Sequence, residues 1–298
     1  MLNEDVVKSL GESYMVKSLE LTVVVEDQRN PKMPDLQAKH GLCIYAEAKT
    51  KEGVFAFLID TGPSSETLKR NANALGIDLS EVKGVILTHG HYDHTGGLPE
   101  VLKHIDRSIP IIAHPSAFEP KFSFKPTLTY IGVPFTRAEI ESLGASLLLS
   151  RSPVHLMDGV STTGEIERVT SYEKTEGLWT VSRERFLPDI LLDDQSVIFK
   201  IDGRGLVIIS GCAHSGIINT VMHSKRLMKV EKICAVIGGF HMLNADEKRI
   251  RWTIDDLAAL NPEMICPCHC TGKEATEMLK SAFEEDCIPL RTGDTMEL

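Results

Sequence analysis

The chain has 298 residues, of which 42% are hydrophobic, and a formal net charge of −10. This length and composition favour one large α/β domain spanning residues 1–298, although two smaller domains would also fit. The acidic charge and the scattered Lys and Arg side chains argue against a nucleic-acid surface and favour a small-molecule substrate. An acidic N-terminus and the lack of an apolar run of membrane-spanning length predict a cytoplasmic protein with no membrane segment.

Strands and helices are predicted to alternate from the start of the chain. The predicted elements of this part are strands at residues 18–26, 42–47, 54–60 and 84–88 and helices at residues 64–76 and 95–104. The second and third strands form a hairpin, which is typical of the meanders found in a β-sandwich.

Three histidines and an aspartate follow the strand predicted at residues 84–88, namely His89, His91, Asp93 and His94. In an extended segment, side chains two residues apart point the same way, so His89 and His91 can share one ion. Asp93 and His94, at the following turn, can then bind a second ion. Imidazole and carboxylate ligands suit zinc, iron or manganese, and paired ions suit hydrolytic or phosphoryl chemistry. We therefore predict two divalent metal ions, zinc first, with iron or manganese as alternatives.

Residues 115–190 interrupt the alternation, because Pro, Gly, Phe and Tyr are frequent there and the hydrophobic residues follow no clean period. We interpret this segment as an inserted lid, since loops over a rigid scaffold often carry specificity. Phe124 could stack on a flat aromatic ligand, and Lys121, Lys125 or Arg168 could bind its phosphate. Aromatic side chains that only pack the lid onto the body would give the same pattern.

Three later apolar strands each lead into a histidine, namely His214, His241 and His269. Helical patterns follow these strands, at residues 216–229, 246–260 and 273–284. The second half of the chain therefore repeats a unit of strand, polar loop and helix, with a histidine at each strand end.

Seven cysteines are an odd number, and Cys266, Cys268 and Cys270 alternate around His269. Reduced thiols are therefore expected rather than a disulfide framework. A separate zinc knuckle is disfavoured, because on a strand His269 would point away from the three thiols.

The order of His89, His91, Asp93 and His94 resembles the signature of the metallo-β-lactamase superfamily. Asp60, at the end of the third predicted strand, resembles the aspartate of that family's first motif, which steadies the metal ligands from behind. The resemblance implies an αββα sandwich whose site lies at one edge between the sheets.

The ligand sets follow from this resemblance together with the strand ends. His214 is expected to complete one ion's ligands with His89 and His91. His269 is expected to complete the other ion's ligands with Asp93 and His94.

The chain departs from the family pattern after Gly211, where most hydrolases of the family have an aspartate that bridges the metals and this chain has Cys212. Cys212 is either a small buried thiol or a thiolate near the metals. Asp194 stands where the family's third-motif histidine would be expected, and it is a second candidate for a position near the metals.

Several short stretches resemble one branch of the family, the 7,8-dihydropterin-6-methyl-4-(β-D-ribofuranosyl)aminobenzene-5′-phosphate synthases of methanopterin biosynthesis. These stretches are residues 40–42, 163–168, 193–196, 211–216, 238–241 and 269–272. The resemblance implies a metal-dependent transferase that joins a hydroxymethyl-dihydropterin diphosphate to a ribofuranosylaminobenzene phosphate. The expected ligand is a small phosphorylated aromatic molecule, a reduced pterin.

Asp93 and His241 are the predicted catalytic residues, because a relative in the superfamily has a proton-transfer histidine after the strand comparable to that before His241. His40, Lys121, Phe124 and Arg168 are the predicted substrate-binding residues.

Two other functional classes remain open, a dinuclear hydrolase of a phosphoester, lactone or nucleotide and a non-catalytic metal-bound sensor. A di-iron reductase is disfavoured, because that branch has Glu at the position of His91. The sequence leaves the oligomeric state open.

Overall fold

The computed structural model describes residues 15–124, 126–175 and 177–298. The strands in this part of the chain are, in order, β1 (Ser18–Val25), β2 (Cys43–Thr50), β3 (Gly53–Ile59), β4 (Val82–Ile86), β5 (Ile109–Ala113), β6 (Lys121–Ser123), β7 (Thr129–Tyr130), β8 (Ala145–Leu149), β9 (His155–Met157), β10 (Val160–Thr162), β11 (Leu178–Ser182), β12 (Arg185–Pro188), β13 (Ser196–Ile201), β14 (Gly205–Ser210), β15 (Ile233–Gly239), β16 (Ile265–Cys268) and β17 (Thr295–Glu297). The α-helices are α1 (Ser65–Leu75), α2 (Tyr92–Thr95), α3 (Leu98–Ile105), α4 (Arg137–Ser142), α5 (Ile217–Met228), α6 (Glu247–Leu260) and α7 (Lys273–Phe283).

Two large sheets contain most of the strands. The first has seven strands in the order β17-β1-β2-β3-β4-β5-β8, and the second has six in the order β16-β15-β14-β13-β10-β9. β3, β4, β5 and β8 pair in parallel in the first sheet, and β14, β15 and β16 pair in parallel in the second. The carboxyl ends of the parallel strands in each sheet therefore lie at one edge.

Strand alternation divides the hydrophobic residues between a central core and two outer cores. On β14, Val207 and Ile209 face the other sheet, whereas Leu206 and Ile208 face helices. The central core draws residues from both sheets, and the outer cores contain buried residues of α1, α3 and α4 on one side and of α5, α6 and α7 on the other. This arrangement confirms the predicted αββα sandwich.

The helix boundaries follow their capping residues. Ser64 caps the start of α1 through its side chain, and Gly76 ends that helix in the left-handed conformation, as the sequence predicts. The three later helices also lie where they were predicted. The helix predicted at residues 95–104 corresponds to α3, and a separate one-turn helix, α2, precedes it. Gly96 and Gly97 lie between them, where a Cβ would come within 2.1 Å of a backbone oxygen. Within the described residues, no helix has both the length and the apolar character needed to cross a membrane.

Part of the segment 115–190, which we predicted as an inserted lid, belongs to the sandwich itself. β8 extends the first sheet, and β9 and β10 extend the second. A third, four-stranded sheet in the order β12-β11-β6-β7 is the only part of the segment that stands apart from the sandwich among the residues described. The strands of the segment are only two to five residues long, so their side chains give little periodic signal.

Candidate metal centre

Five strands end at the same edge of the sandwich, and a polar residue lies in the loop after each of them. Asp60 follows β3, His89 follows β4, Cys212 follows β14, His241 follows β15 and His269 follows β16. The carboxyl ends of parallel strands are common ligand sites in α/β sheets because the loops after them converge. Residues that are up to about 200 positions apart in sequence therefore share one site.

Gly211 lets the loop after β14 approach the loop after β4. A Cβ at position 211 would lie 2.0 Å from Oγ1 of Thr88 and 2.9 Å from Oδ2 of Asp60. Any side chain would push the two sheets apart at this edge, so the close approach requires glycine.

Four residues other than glycine turn the chain sharply after their strands. Asp60, Ala213, His241 and His269 have φ between 49° and 59°, the left-handed region that residues with a Cβ seldom adopt. Such strained positions are concentrated at functional sites. Here they direct the side chains of the loops into the space between the sheet edges.

His89, His91 and His214 form the first candidate ligand set. One ring nitrogen from each lies within 4.8 Å of the others, and all three residues are buried. Burial, together with neighbouring imidazoles, holds the pKa of His89 and of His214 well below the ordinary value, and burial lowers the pKa of His91 to about 3. The rings are therefore neutral and offer lone pairs.

Three of the six ring nitrogens of this set lack hydrogen-bond partners in the described part of the protein. Nε2 of His91 and both ring nitrogens of His214 are buried and have no hydrogen-bond partner among the residues that the structure describes. Buried polar atoms are almost always satisfied, so unpaired nitrogens that face one another fit a bound cation. The donor set, three imidazoles, suits a divalent transition metal.

Asp93, His94 and His269 form the second candidate ligand set. Oδ2 of Asp93 lies 3.6 Å from Nε2 of His94 and 3.4 Å from Nε2 of His269, and the two Nε2 atoms are 3.2 Å apart. Burial alone would raise the pKa of Asp93, but the neighbouring histidines outweigh it and hold that pKa far below its ordinary range. This set therefore contains a carboxylate, which the first set lacks.

Carboxylates also contact the two histidines of this second set on the side of the ring opposite Nε2. Oδ2 of Asp60 lies 2.7 Å from Nδ1 of His94, and Oδ1 of Asp27 lies 2.7 Å from Nδ1 of His269. When Nδ1 donates its proton to a carboxylate, Nε2 keeps a lone pair that can bind a metal. Asp60 was predicted in this position. Asp27 was not predicted, because nothing in its local sequence marks it.

Cys212 points into the site. Its Sγ lies 3.2 Å from Nε2 of His94, and it belongs with that nitrogen and His89 to one of the groups whose ligand atoms lie within 4.8 Å of one another. Sγ of Cys270 donates to the carbonyl oxygen of Cys212 at 3.5 Å. All seven cysteines are free, in line with the sequence, and Cys266 is packed in the central core, away from the thiols at the site.

His241 and His40 adjoin the two ligand sets. The ring of His241 lies 4.1 Å from that of His214, between ring centres, and Nε2 of His40 lies 3.4 Å from Oδ2 of Asp93. Asp194 supports the loop of His214, since its Oδ2 accepts from the backbone N–H of Ser215 at 2.8 Å. Burial raises the pKa of Asp194 to about 6.

Lys121 has a structural role that the sequence did not reveal. The side chain is buried, and its Nζ donates to Asp189 at 3.0 Å and to Asp193 at 2.8 Å. The ammonium therefore faces two carboxylates and is not open to a substrate phosphate. Asp193 in turn accepts from the backbone N–H of Gly90, between the first two metal-site histidines, at 2.8 Å.

The two other predicted substrate residues of the segment also contact the protein itself. The guanidinium of Arg168 donates to the carbonyl of Leu191 at 3.2 Å and to Oγ of Ser215 at 3.3 Å. The ring of Phe124 is 45% exposed and packs edge-on against Trp179. Lys125 lies outside the described residues.

The aromatic side chains of the third sheet share one face. Phe122 pairs with both Tyr130 and Trp179 across the strands, so their side chains point the same way. Lys121, next to Phe122, points to the opposite face and toward the loop of Gly90. The aromatic face is therefore turned away from the metal loop, and stacking of these rings on a ligand bound at the metals is not supported.

Residues 50–269 match the family model of the metallo-β-lactamase superfamily. The chain belongs to this superfamily. A 7,8-dihydropterin-6-methyl-4-(β-D-ribofuranosyl)aminobenzene-5′-phosphate synthase of Methanocaldococcus jannaschii is 36% identical over 284 residues, which are 93% of this chain and 96% of the relative. An uncharacterised protein of the same organism is 30% identical and spans 81% of this chain and 88% of its own length. The chain therefore has a relative of nearly full length among the synthases that the sequence resembles.

Solved structures agree with the assignment. A metal-dependent hydrolase of the β-lactamase superfamily superposes with a TM-score of 0.78 at 25% identity, covering 94% of this chain and 99% of that one. A diphosphatase of the PhnP family has a TM-score of 0.51 at 13% identity, covering 95% and 98%, and shows the shared fold alone. The family and the synthase relative support the prediction that this chain is an enzyme.

Proposed function

We propose that the protein joins a hydroxymethyl-dihydropterin diphosphate to a ribofuranosylaminobenzene phosphate, with two divalent metal ions at the candidate centre. The observation that carries this proposal is the 36% identity to the M. jannaschii synthase along nearly the whole of both chains. The two adjacent ligand sets support it, because they fit the cations that a diphosphate leaving group would need.

The reaction breaks the bond between the pterin methylene carbon and the diphosphate oxygen and forms a bond from that carbon to the arylamine nitrogen. The diphosphate leaves with both electrons of the broken bond, and the nitrogen loses one proton. When bound, two divalent cations would supply Lewis-acid polarisation of the diphosphate oxygens.

The side chains of the centre have separate tasks in this proposal. His89, His91 and His214 hold the first cation through neutral imidazoles. Asp93, with His94 and His269, holds the second and adds the negative charge that offsets it. His241, beside His214, donates a proton to the leaving diphosphate or orients it. Histidine is the side chain that most often transfers protons in enzymes.

Specificity for the diphosphate form would come from the metal centre. A bare hydroxymethyl pterin lacks the charged oxygens that face two cations, so calorimetry should show weaker binding than for the diphosphate. The side chains that contact the pterin ring remain unassigned, since the aromatic face of the third sheet is turned away from the centre.

The direct test is incubation of the zinc-loaded protein with both substrates and detection of the coupled product and diphosphate by mass spectrometry. Iron- and manganese-loaded protein extends the test to the other candidate metals. Formation of both products in equal amounts supports the proposal. If neither pterin form binds at millimolar concentration, the synthase assignment is wrong.

A dinuclear hydrolase is the second candidate, favoured by the TM-score of 0.78 to a metal-dependent hydrolase. The same protein should then release phosphate from a phosphodiester, or open a lactone, without an arylamine. A protein that binds metal but turns over none of these substrates would instead fit a metal-bound sensor.

A further inference from the structure

The aromatic face of the third sheet has no task in the proposed reaction. Phe122 pairs with Tyr130 and with Trp179, so these three side chains point the same way. Val181 lies two residues after Trp179 on β11 and pairs with Phe186, which places both on the same face. The complete face consists of seven uncharged residues, Phe122, Phe124, Tyr130, Trp179, Val181, Phe186 and Pro188.

The rings of this face pack against one another. Trp179 and Phe186 stack with ring centres 5.1 Å apart and planes 8° apart. The ring of Phe124 lies edge-on to both, 5.4 Å from Trp179 and 5.9 Å from Phe186. The hydroxyl of Tyr130 donates to the carbonyl of Val133 at 2.9 Å, so its polar atom is already paired. The face is therefore a continuous layer of rings that offers apolar contact.

Much of this layer is open to solvent. Phe124 and Phe186 are each 45% exposed, and Tyr130 is 49% exposed. These are three of the five exposed Phe, Tyr and Trp residues in the described part of the chain, so exposed rings are concentrated here. Single exposed hydrophobic residues are ordinary, but a contiguous patch marks an interaction site.

The opposite face of the third sheet holds the sheet on the body of the protein. Lys121 lies on that face, and its ammonium donates to the buried carboxylates of Asp189 and Asp193. Turning the sheet over to bury the aromatic face would leave these charges buried without partners. A cover for the aromatic face must therefore come from another molecule.

The charge of the chain favours a second copy as that molecule. Two copies that each carry a net charge of −10 repel one another, whereas the uncharged aromatic face allows them to touch without that repulsion. A partner recognised by its charge would bind the acidic surface instead. A symmetric dimer needs a patch that is complementary to itself, and a layer of apolar rings meets this condition.

The size of the aromatic face fits the apolar centre of a dimer interface. At about 200 Å² for a whole aromatic side chain, the three half-exposed rings alone leave roughly 300 Å² open. The other four residues of the face are partly or largely exposed and enlarge this area. A standard interface buries about 800 Å² on each partner, of which about 60% is non-polar. The face therefore supplies a large share of the non-polar area that a stable dimer needs.

We propose that the aromatic face is the interface of a symmetric homodimer, with the rings of Phe124, Tyr130 and Phe186 at its centre. This inference does not depend on the reaction proposed above. Lys121, on the opposite face, points toward the loop of Gly90, so each metal centre stays clear of the interface.

Sedimentation velocity of the zinc-loaded, full-length protein tests the proposal. The wild type should sediment with twice the mass of one chain. Phe186→Glu should raise the dissociation constant of the dimer by about 10³-fold, because a central aromatic residue contributes about 30-fold and the substitution occurs twice in a symmetric interface. The control is Val54→Glu, at a residue of β3 that is 51% exposed, and it should leave the dimer intact.

Circular dichroism and zinc content should be the same in Phe186→Glu and the wild type, since the ring is half exposed. Tryptophan fluorescence gives a second readout that needs no substitution on the face. The chain has two tryptophans, so Trp252→Phe leaves Trp179 as the reporter. The Trp179 emission should shift to longer wavelength over the dilution range in which the dimer dissociates, because water then reaches the ring.

A wild type that stays monomeric at about 0.1 mM would overturn the inference, since standard interfaces associate at micromolar concentration or below. A dimer that Phe186→Glu leaves intact would place the contact elsewhere and also overturn it, as would Trp179 emission that does not change when the dimer dissociates. A monomeric wild type that sediments with phosphatidylcholine vesicles would assign the face to a lipid surface, against the proposal.

Discussion

The two ligand sets lie side by side but are stabilised in different ways. The second set contains Asp93, and carboxylates accept directly from two of its imidazoles, Asp60 from His94 and Asp27 from His269. The first set consists of imidazoles alone. Charge-assisted hydrogen bonds are stronger than neutral ones and raise the basicity of the ligand, so the second set should hold its cation more tightly.

The first set depends on neutral and more distant partners. Nδ1 of His89 lies 3.0 Å from the hydroxyl of Thr88. The backbone N–H of Gly90, between His89 and His91, donates to Asp193, and Asp193 in turn accepts from Lys121. In the proposed dinuclear centre, we therefore expect the cation of the first set to exchange faster than that of the second.

The largest effect should come from His241, which adjoins the weaker set. We expect His241→Ala to lower turnover by about 10² to 10⁴ while sparing metal content, the range found for acid-base residues. Elemental analysis and steady-state rates on the same sample check this. Loss of a metal ion in the variant would show that His241 belongs to the first set as a ligand and would change the comparison.

A second prediction concerns the buried Lys121, on which the loop of the first set depends. Lys121→Met leaves Asp189 and Asp193 buried without a cation, and we expect it to destabilise the protein by about 3 to 5 kcal/mol. Chemical denaturation measures this. Lys83→Met, at an exposed ion pair with Glu81, is the control and should cost about 1 kcal/mol or less.

The ion pair between Lys121 and Asp193 predicts that the stability of the protein depends on pH. Burial alone would raise the pKa of Asp193, but the ammonium of Lys121 outweighs it and holds that pKa below its ordinary value. Stability from the ionised carboxylate is therefore present above the ordinary pKa of about 4 and is lost as the pH falls below it. The difference between wild type and Lys121→Met should shrink in acid. A difference that grows below pH 4 would contradict this account.

The third prediction compares one hydrogen-bond partner of each set. Asp60→Asn should weaken binding of the second cation by about 10- to 100-fold, because Nδ1 of His94 loses its carboxylate. Thr88→Val should weaken the first cation less, because a neutral hydroxyl is the weaker partner. Titration with a chelator resolves the two affinities. An equal loss of metal affinity in both variants would show that the two sets do not differ in how strongly these partners support them.

The smallest effect is expected at Cys212, which contacts His94 across the two sets. Cys212→Asp should tighten metal binding by about tenfold or less and raise hydrolysis of activated phosphodiesters, because a bridging carboxylate holds both cations. Cys212→Ser is the matched control and should do neither. Weaker binding in Cys212→Asp would show that the thiolate is itself the better ligand.

Many of the strands and helices, and the strand ends, could be predicted because they depend on local signals, whereas the αββα sandwich followed from the family resemblance. Apolar runs, caps such as Ser64 and turn residues such as Gly76 act within a few positions of the elements that they bound. The six expected ligands come together in the structure as two groups, and each histidine or aspartate of these groups follows directly on a strand or its turn.

Two features could not be predicted, because they depend on contacts between distant residues. Lys121 resembles a surface lysine until Asp189 and Asp193, 68 and 72 positions away, are placed beside it. Asp27 meets His269 across 242 positions. The short strands β8, β9 and β10 were missed for a related reason, since each is recognisable only by the strands that it pairs with.

The left-handed turns after β3, β14, β15 and β16 have a consequence for how this scaffold can acquire new chemistry. A left-handed residue other than glycine costs about 1 to 2 kcal/mol, and here the four such residues lie in the loops that follow the strands. Reactive side chains can therefore be exchanged one at a time in these loops while the two sheets persist. Ala213 is the turn residue whose side chain is a methyl group alone. Glycine at that position would relieve its backbone strain, and the added stability could offset the cost of substitutions that change the substrate.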